Sequence, residues 1–190
     1  MSKNTYIIRL PSIFDNHIKK NFIYDLKNLI ANFFNKAKYK KLIKMTKNIL
    51  LLKLINGVYE YDGDFFVLNK QKLKSFKLEI LESHLIKLNL HAASLTSKNS
   101  LFQYYFLGNL WKDIKLMIKN NIPILNAACY PIKASYIHRL FTGKNMKKNQ
   151  TKIYNAQMRS IYSNLWGNKK NNFLYKKIEI INQLKKIFKI

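Results

Sequence analysis

The sequence predicts an α+β fold, a ferredoxin-like split βαβ sandwich with a long β-hairpin and a basic C-terminal extension. Three observations predict it. The elements read in the order strand, helix, strand, strand, helix, strand, and two helices on one face of a four-stranded sheet follow from that order. The turn pairs Asn56-Gly57 and Asp62-Gly63 punctuate the middle of the chain and set up an antiparallel central pair. Charge, finally, is uneven. Residues 1–130 carry 21 basic and 8 acidic residues and residues 131–190 carry 14 and 1, an equal surplus of 13 in fewer than half as many positions. This places a boundary near Pro131, with a core over 1–130 and a partly helical extension over 131–190.

Each element has its own signal. Tyr6 to Leu10 is a short apolar run ended by Pro11, a buried strand. Ser12 with Asp15 three residues on has the form of a helix start. Ile18, Phe22, Leu26, Leu29, Ile30 and Phe33 then recur at helical spacing, so one long helix is expected from Asp15 to Ala37. Lys36 to Lys47 reads as a basic connection, Ile49 to Ile55 as strand and Asp64 to Leu68 as strand. Ile86, Leu88 and Leu90 alternate with Lys87, Asn89 and His91 at the end of Leu78 to His91, the pattern of a half-buried strand. Asn69 to Lys77 between these strands holds four lysines and no acid, an exposed basic tip. Leu110, Ile114, Met117 and Ile118 mark a second helix closed at Asn120-Asn121, Ile122 to Leu125 a last strand, and Ile178, Ile181, Leu184 and Phe188 a terminal helix.

The 190 residues carry 35 Lys and Arg against 9 Asp and Glu, a net charge of +26. A surplus of that size repels itself until the folded chain meets a polyanion, so nucleic acid is the expected partner. Apolar residues at 48% exclude a wholly disordered chain. Lys, Asn, Ile, Phe and Tyr make up 103 of the 190 residues, and Arg only 3. Codons for all five begin with two A or T bases, which points to an A+T-rich genome such as an organelle's, and removes any meaning from Lys replacing Arg. The first twenty residues lack a secretory core and an Arg-rich, acid-poor presequence, as expected of a protein made inside the organelle where it works. The longest uncharged stretches, Asn99 to Trp111 and Asn120 to Ile132, are 13 residues each. A bilayer span takes roughly 20, so no membrane partner is expected.

Catalytic patterns are sparse. The sequence holds no Walker loop, no dinucleotide fingerprint and no nucleophile elbow. His17, His84, His91 and His138 are not spaced as metal ligands, and Cys129 is alone, reading as a packed thiol in a reducing compartment. No cofactor, metal or enzymatic activity is expected. The acids Glu60, Asp62 and Asp64 share one strand face if extended. They are the basis of the alternative reading, an organellar nuclease or splicing factor working through a divalent ion.

Lysine interleaved with aromatics is the pattern that remains. Tyr136, His138, Arg139, Phe141, Lys144, Lys147 and Lys148 form one group, and Arg159, Tyr162, Trp166, Lys169, Lys170, Tyr175, Lys176 and Lys177 another. Cations neutralise phosphates and flat rings stack on unpaired bases, so both groups, together with Lys53, are candidate RNA contacts.

Tyr6 to Leu10 followed by Phe14-Asp15 resembles the opening of the small-subunit ribosomal protein family universally numbered ten. Phe65 to Leu68, the basic tip, and Ser83-His84 leading into Leu85 to Leu90 resemble its next hallmark, and Leu110 to Asn120 with Ile122 to Leu125 its second helix and last strand. The resemblance covers residues 5–130. Leu88 to His91 through Ser94 to Thr96 also resembles, over that one segment, the opening of small-subunit ribosomal protein two. The first resemblance implies a structural protein of an organellar small ribosomal subunit, in the mitochondrial matrix, contacting rRNA and neighbouring proteins of the subunit head and forming no homo-oligomer. It implies that Lys70, Lys72, Lys74 and Lys77 supply the hairpin tip that reaches RNA, and that His84 holds the family's histidine on the returning strand.

Overall fold

The computed structural model of the protein describes residues 5–73, 75–148, 151–169 and 171–190. Two short strands come first, β1 (Ile7–Arg9) and β2 (Ser12–Phe14), with Pro11, which has no N–H to give a ladder, between them. The long helix expected from Asp15 to Ala37 does not form: the chain makes only α1 (Phe22–Lys27) and then a strand, β3 (Phe33–Asn35). Asparagine side chains explain the break, because they compete with helical hydrogen bonds. Asn21, at φ 144°, accepts from the Ile23 N–H, and the Asn28 amide donates back to the Tyr24 carbonyl.

Two helices follow where a basic connection and a strand are expected, α2 (Lys36–Met45) and α3 (Ile49–Val58). Each is started by an asparagine whose side-chain oxygen takes up first-turn N–H groups: Asn35 accepts from Lys38, and Asn48 from Leu50 and Leu51. A tight hairpin then joins β4 (Tyr59–Tyr61) to β5 (Phe65–Leu68) through Asp62-Gly63-Asp64, with Gly63 at φ 103°. The expected long hairpin does not form among the described residues. Residues 70–72 form a single 3-10 turn, and the expected returning strand is α4 (Ser75–Lys87), whose Leu81 and Leu85, four apart, are both fully buried.

The remaining elements are β6 (Leu101–Phe102), β7 (Tyr104–Phe106), α5 (Leu110–Lys119), β8 (Ile124–Asn126), β9 (Ile132–Lys133), α6 (Ala134–Thr142) and α7 (Lys177–Phe188), with a 3-10 turn at Ser163–Trp166 before α7. Strand β1, the second helix, the last strand and the terminal helix thus form where expected.

The fold is α+β, with seven α-helices and several small sheets among the described residues, and these show no ferredoxin-like sheet. β1 pairs with β8 and β2 with β7, both in parallel; β6 pairs with β9 antiparallel; and β3-β5-β4 is a three-stranded antiparallel sheet. Parallel pairs need long connections, which the sequence order cannot reveal. Two compact units result, one of residues 1–23 with 97–190 and one of 24–96. Pro131 is not a border between them. Residues beyond it are woven into the first unit, since β9 pairs with β6 and Tyr175 bridges Cys129.

The 24–96 unit packs Phe34, Leu42, Ile55, Leu81 and Leu85 into one core, with Tyr59 donating its hydroxyl to the Ala31 carbonyl. The other unit buries Phe14, Tyr104, Met117, Leu125 and Leu184. No helix among the described residues is long and apolar enough to cross a membrane.

Candidate nucleic-acid interface

The two units differ in charge. Residues 1–23 and 97–190 hold 22 basic and 3 acidic residues, and residues 24–96 hold 13 and 6. The three acids of the first unit are all engaged inside it. Asp15 accepts from the His17 N–H, Glu179 from the Lys176 N–H at the start of α7, and Asp113 is completely buried. With 22 cations against these three acids, the field of the unit is set by its cations.

Asp113 is the structural centre of this unit. On α5, its carboxylate accepts from the Tyr105 hydroxyl (2.6 Å), the Trp166 indole N–H (2.8 Å) and the Tyr175 hydroxyl (2.7 and 2.9 Å). Charge-assisted hydrogen bonds of this kind are the strong ones, and they compensate for burying the charge. Burial first, and then the bond to Asp113, pushes both tyrosine hydroxyls far above the usual phenol range, so they stay protonated donors. Trp166 and Tyr175, read from the sequence as rings for RNA, are turned inward instead.

A groove of about 430 Å³ lies along β9, α6 and the start of α7. Its cations are Lys133, Arg139 and Lys177, its rings Tyr130 and Tyr136, and no acid lines it. Local structure aims each of them. Strand alternation buries Ile132 and exposes Lys133. In α6, Ala134 and Ile137 face the core and Arg139 faces out, and Gly143 at φ 68° ends the helix by donating to the Arg139 carbonyl. The Lys177 ammonium sits 4.3 Å from the centre of the Tyr136 ring. Beyond Tyr130, the ring of Phe173 packs edge-on and carries the Arg159 guanidinium 4.4 Å from its centre. Chemically, such a groove can take phosphate oxygens on three cations and a base or sugar against two phenol rings.

Of the residues expected to contact RNA, Arg139 and Lys177 line this groove and Arg159 adjoins it through Phe173 and Tyr130, while Lys176 is exposed at the start of α7 and Lys144, Lys147, Lys148 and Lys169 are exposed on the loops of the same unit. Lys133 and Tyr130 are missed by the sequence reading, although the alternation after Pro131 is a usable signal for Lys133. In the other unit the expected tip is already occupied. Lys72 pairs with Glu60 at 2.6 Å, and the Lys70 ammonium lies 3.1 Å from the Tyr24 hydroxyl. Lys77 stands in the first turn of α4 and Lys53 is exposed on α3. Lys74 and Lys170 lie outside the described residues. His84 is on a helix, its Nε2 2.8 Å from the Thr46 hydroxyl. Burial, and next the charge of Lys87, lowers its pKa, and its bond to Thr46 joins the end of α2 to α4.

The acids of the alternative reading hold the hairpin together. Glu60 is bound by Lys72 and Asn69, and Asp62 accepts from the Asp64 and Phe65 N–H groups. Among the described residues no three His, Cys, Asp or Glu side chains form a group able to hold a metal. Cys129 is fully buried, and its thiol is pushed up by that burial first and then by Asp113 and Glu179, which opposes thiolate chemistry. No family model, no curated protein and no solved structure matches the chain.

Proposed function

We propose that this protein is a structural RNA-binding component of an organellar, mitochondrial, small ribosomal subunit, acting by phosphate neutralisation and shape without catalysis. The observation that carries the reading is the acid-free groove of Lys133, Arg139, Lys177, Tyr130 and Tyr136 in a unit that holds 22 basic residues against 3 acidic ones. Contacts of this kind position RNA more than they read its sequence. The A+T-driven composition supports the organelle, and both family resemblances in the sequence belong to the small subunit. The proposal does not depend on membership of the ribosomal protein ten family, because the hairpin and returning strand behind that resemblance are a short turn and α4.

Sedimentation of the native protein from organelle lysate through a Mg²⁺-containing sucrose gradient tests the reading. Comigration with the small subunit, lost after nuclease or chelator treatment, is the expected result. A free or membrane-bound peak insensitive to both treatments overturns it.

A further inference from the structure

Outside the groove, the solvent face of α5 carries an arrangement not accounted for by packing. Trp111 is 66% exposed, although indole is the largest apolar side chain a fold can bury. Positions 111, 115 and 119 fall on one helical face. Lys112, Lys115 and Lys119 line, together with Trp111, an open depression of about 440 Å³, and the Lys115 ammonium lies 5.5 Å from the ring centre. The only acid of this helix is Asp113, and it points the other way, locked on three aromatic donors. The outer face therefore combines a bare indole with three cations and no carboxylate of its own helix.

We propose that this face is a stacking platform for an unpaired nucleotide of RNA, the base lying on Trp111 and the flanking phosphates on Lys112, Lys115 and Lys119. The inference rests on the RNA-binding reading above and adds a second, single-strand-specific contact to it. Charge selects the occupant. Protein interface cores are depleted of lysine, whereas an aromatic ring framed by cations is how single strands are held irrespective of sequence. Lys115 over the indole is a cation–π contact in the free protein. An incoming base takes the ring and leaves the ammonium to a phosphate.

The test is anisotropy titration of the full-length protein against a short fluorescein-labelled single-stranded oligoribonucleotide and its duplex, together with tryptophan emission. Trp111→Ala should weaken single-strand binding about tenfold and leave duplex binding unchanged, while Trp111→Phe stays within about threefold of the parent. Single strand should quench emission in the parent and not in Trp111→Phe, where only Trp166, engaged by Asp113, remains. Because Trp111 is exposed, both variants should melt as the parent does.

Equal affinity of Trp111→Ala and parent for the single strand, with no quenching, overturns the inference and leaves the ring to a protein partner. The combined variant Lys133→Ala, Arg139→Ala, Lys177→Ala separates the two proposals. If it loses single-strand and duplex binding alike while Trp111→Ala loses nothing, the groove stands and the platform falls. If the parent binds neither RNA, both fall.

Discussion

The hydroxyl of Tyr175 lies 2.7 Å from one oxygen of Asp113 and 2.9 Å from the other, so a residue 62 positions further along the chain closes the carboxylate that α5 brings to the core. Trp166, on the 3-10 turn before α7, shares the first of those oxygens. One buried acid thus ties the segment that ends at the groove to the helix that carries Trp111.

Removing that acid should be costly. Asp113→Ala leaves two buried hydroxyl donors and the half-buried Trp166 N–H unsatisfied, each worth about 1–3 kcal/mol, so a loss of about 3 kcal/mol or more is expected. Tyr175→Phe removes one donor and should cost about 1–2 kcal/mol. Urea unfolding followed by circular dichroism measures both, and a smaller loss for Asp113→Ala than for Tyr175→Phe would contradict the arrangement.

Salt dependence reports the groove. Each phosphate contact to a single strand contributes a slope of about 0.7 in log affinity against log salt. Replacing Lys133, Arg139 and Lys177 together by alanine should lower that slope by about 2. An unchanged slope would show that phosphates bind elsewhere.

Asp25 makes stability depend on pH. Burial raises its carboxyl from 3.8 to about 6. Between those values the folded protein holds a proton that the unfolded chain has released, so stability is fully present below the lower value and declines as pH rises to about 6. Asp25→Asn removes the penalty. Its melting temperature should exceed the parent's at pH 7, by the equivalent of about 3 kcal/mol, and approach it near pH 4.

Gln103 fastens a loop. Its buried amide donates to the carbonyls of Cys129 and Met158 and accepts from the Met158 N–H, holding residues 154–158 beside β6. Gln103→Ala should cost about 2 kcal/mol and admit protease between 151 and 159. Cleavage no faster than in the parent would show that other contacts hold the loop.

Local signals were legible where one neighbourhood decides. β1, β5, α5, β8 and α7 were readable from apolar runs or helical spacing, as was the Asp62-Gly63 turn. Ile49 to Ile55 was misread because a short apolar run suits either state, yet its leucines and the cap at Asn48 favour helix. Alternation over Ile86 to Leu90 masked the four-residue spacing of Leu81 and Leu85. The Asp113 hub was beyond the sequence, since nothing local to Asp113 announces partners at 166 and 175.

The parallel pairing of β1 with β8 also orders events during synthesis. Ile7 must wait for Ile124, and the whole 24–96 unit is translated in between. The core of that unit, from Ile30 to Ala92, is fully translated by Thr96, while the first strand still lacks its partner. Vectorial synthesis therefore finishes the inserted piece before the piece that contains it, and the slow, long-range closure of the outer unit comes last.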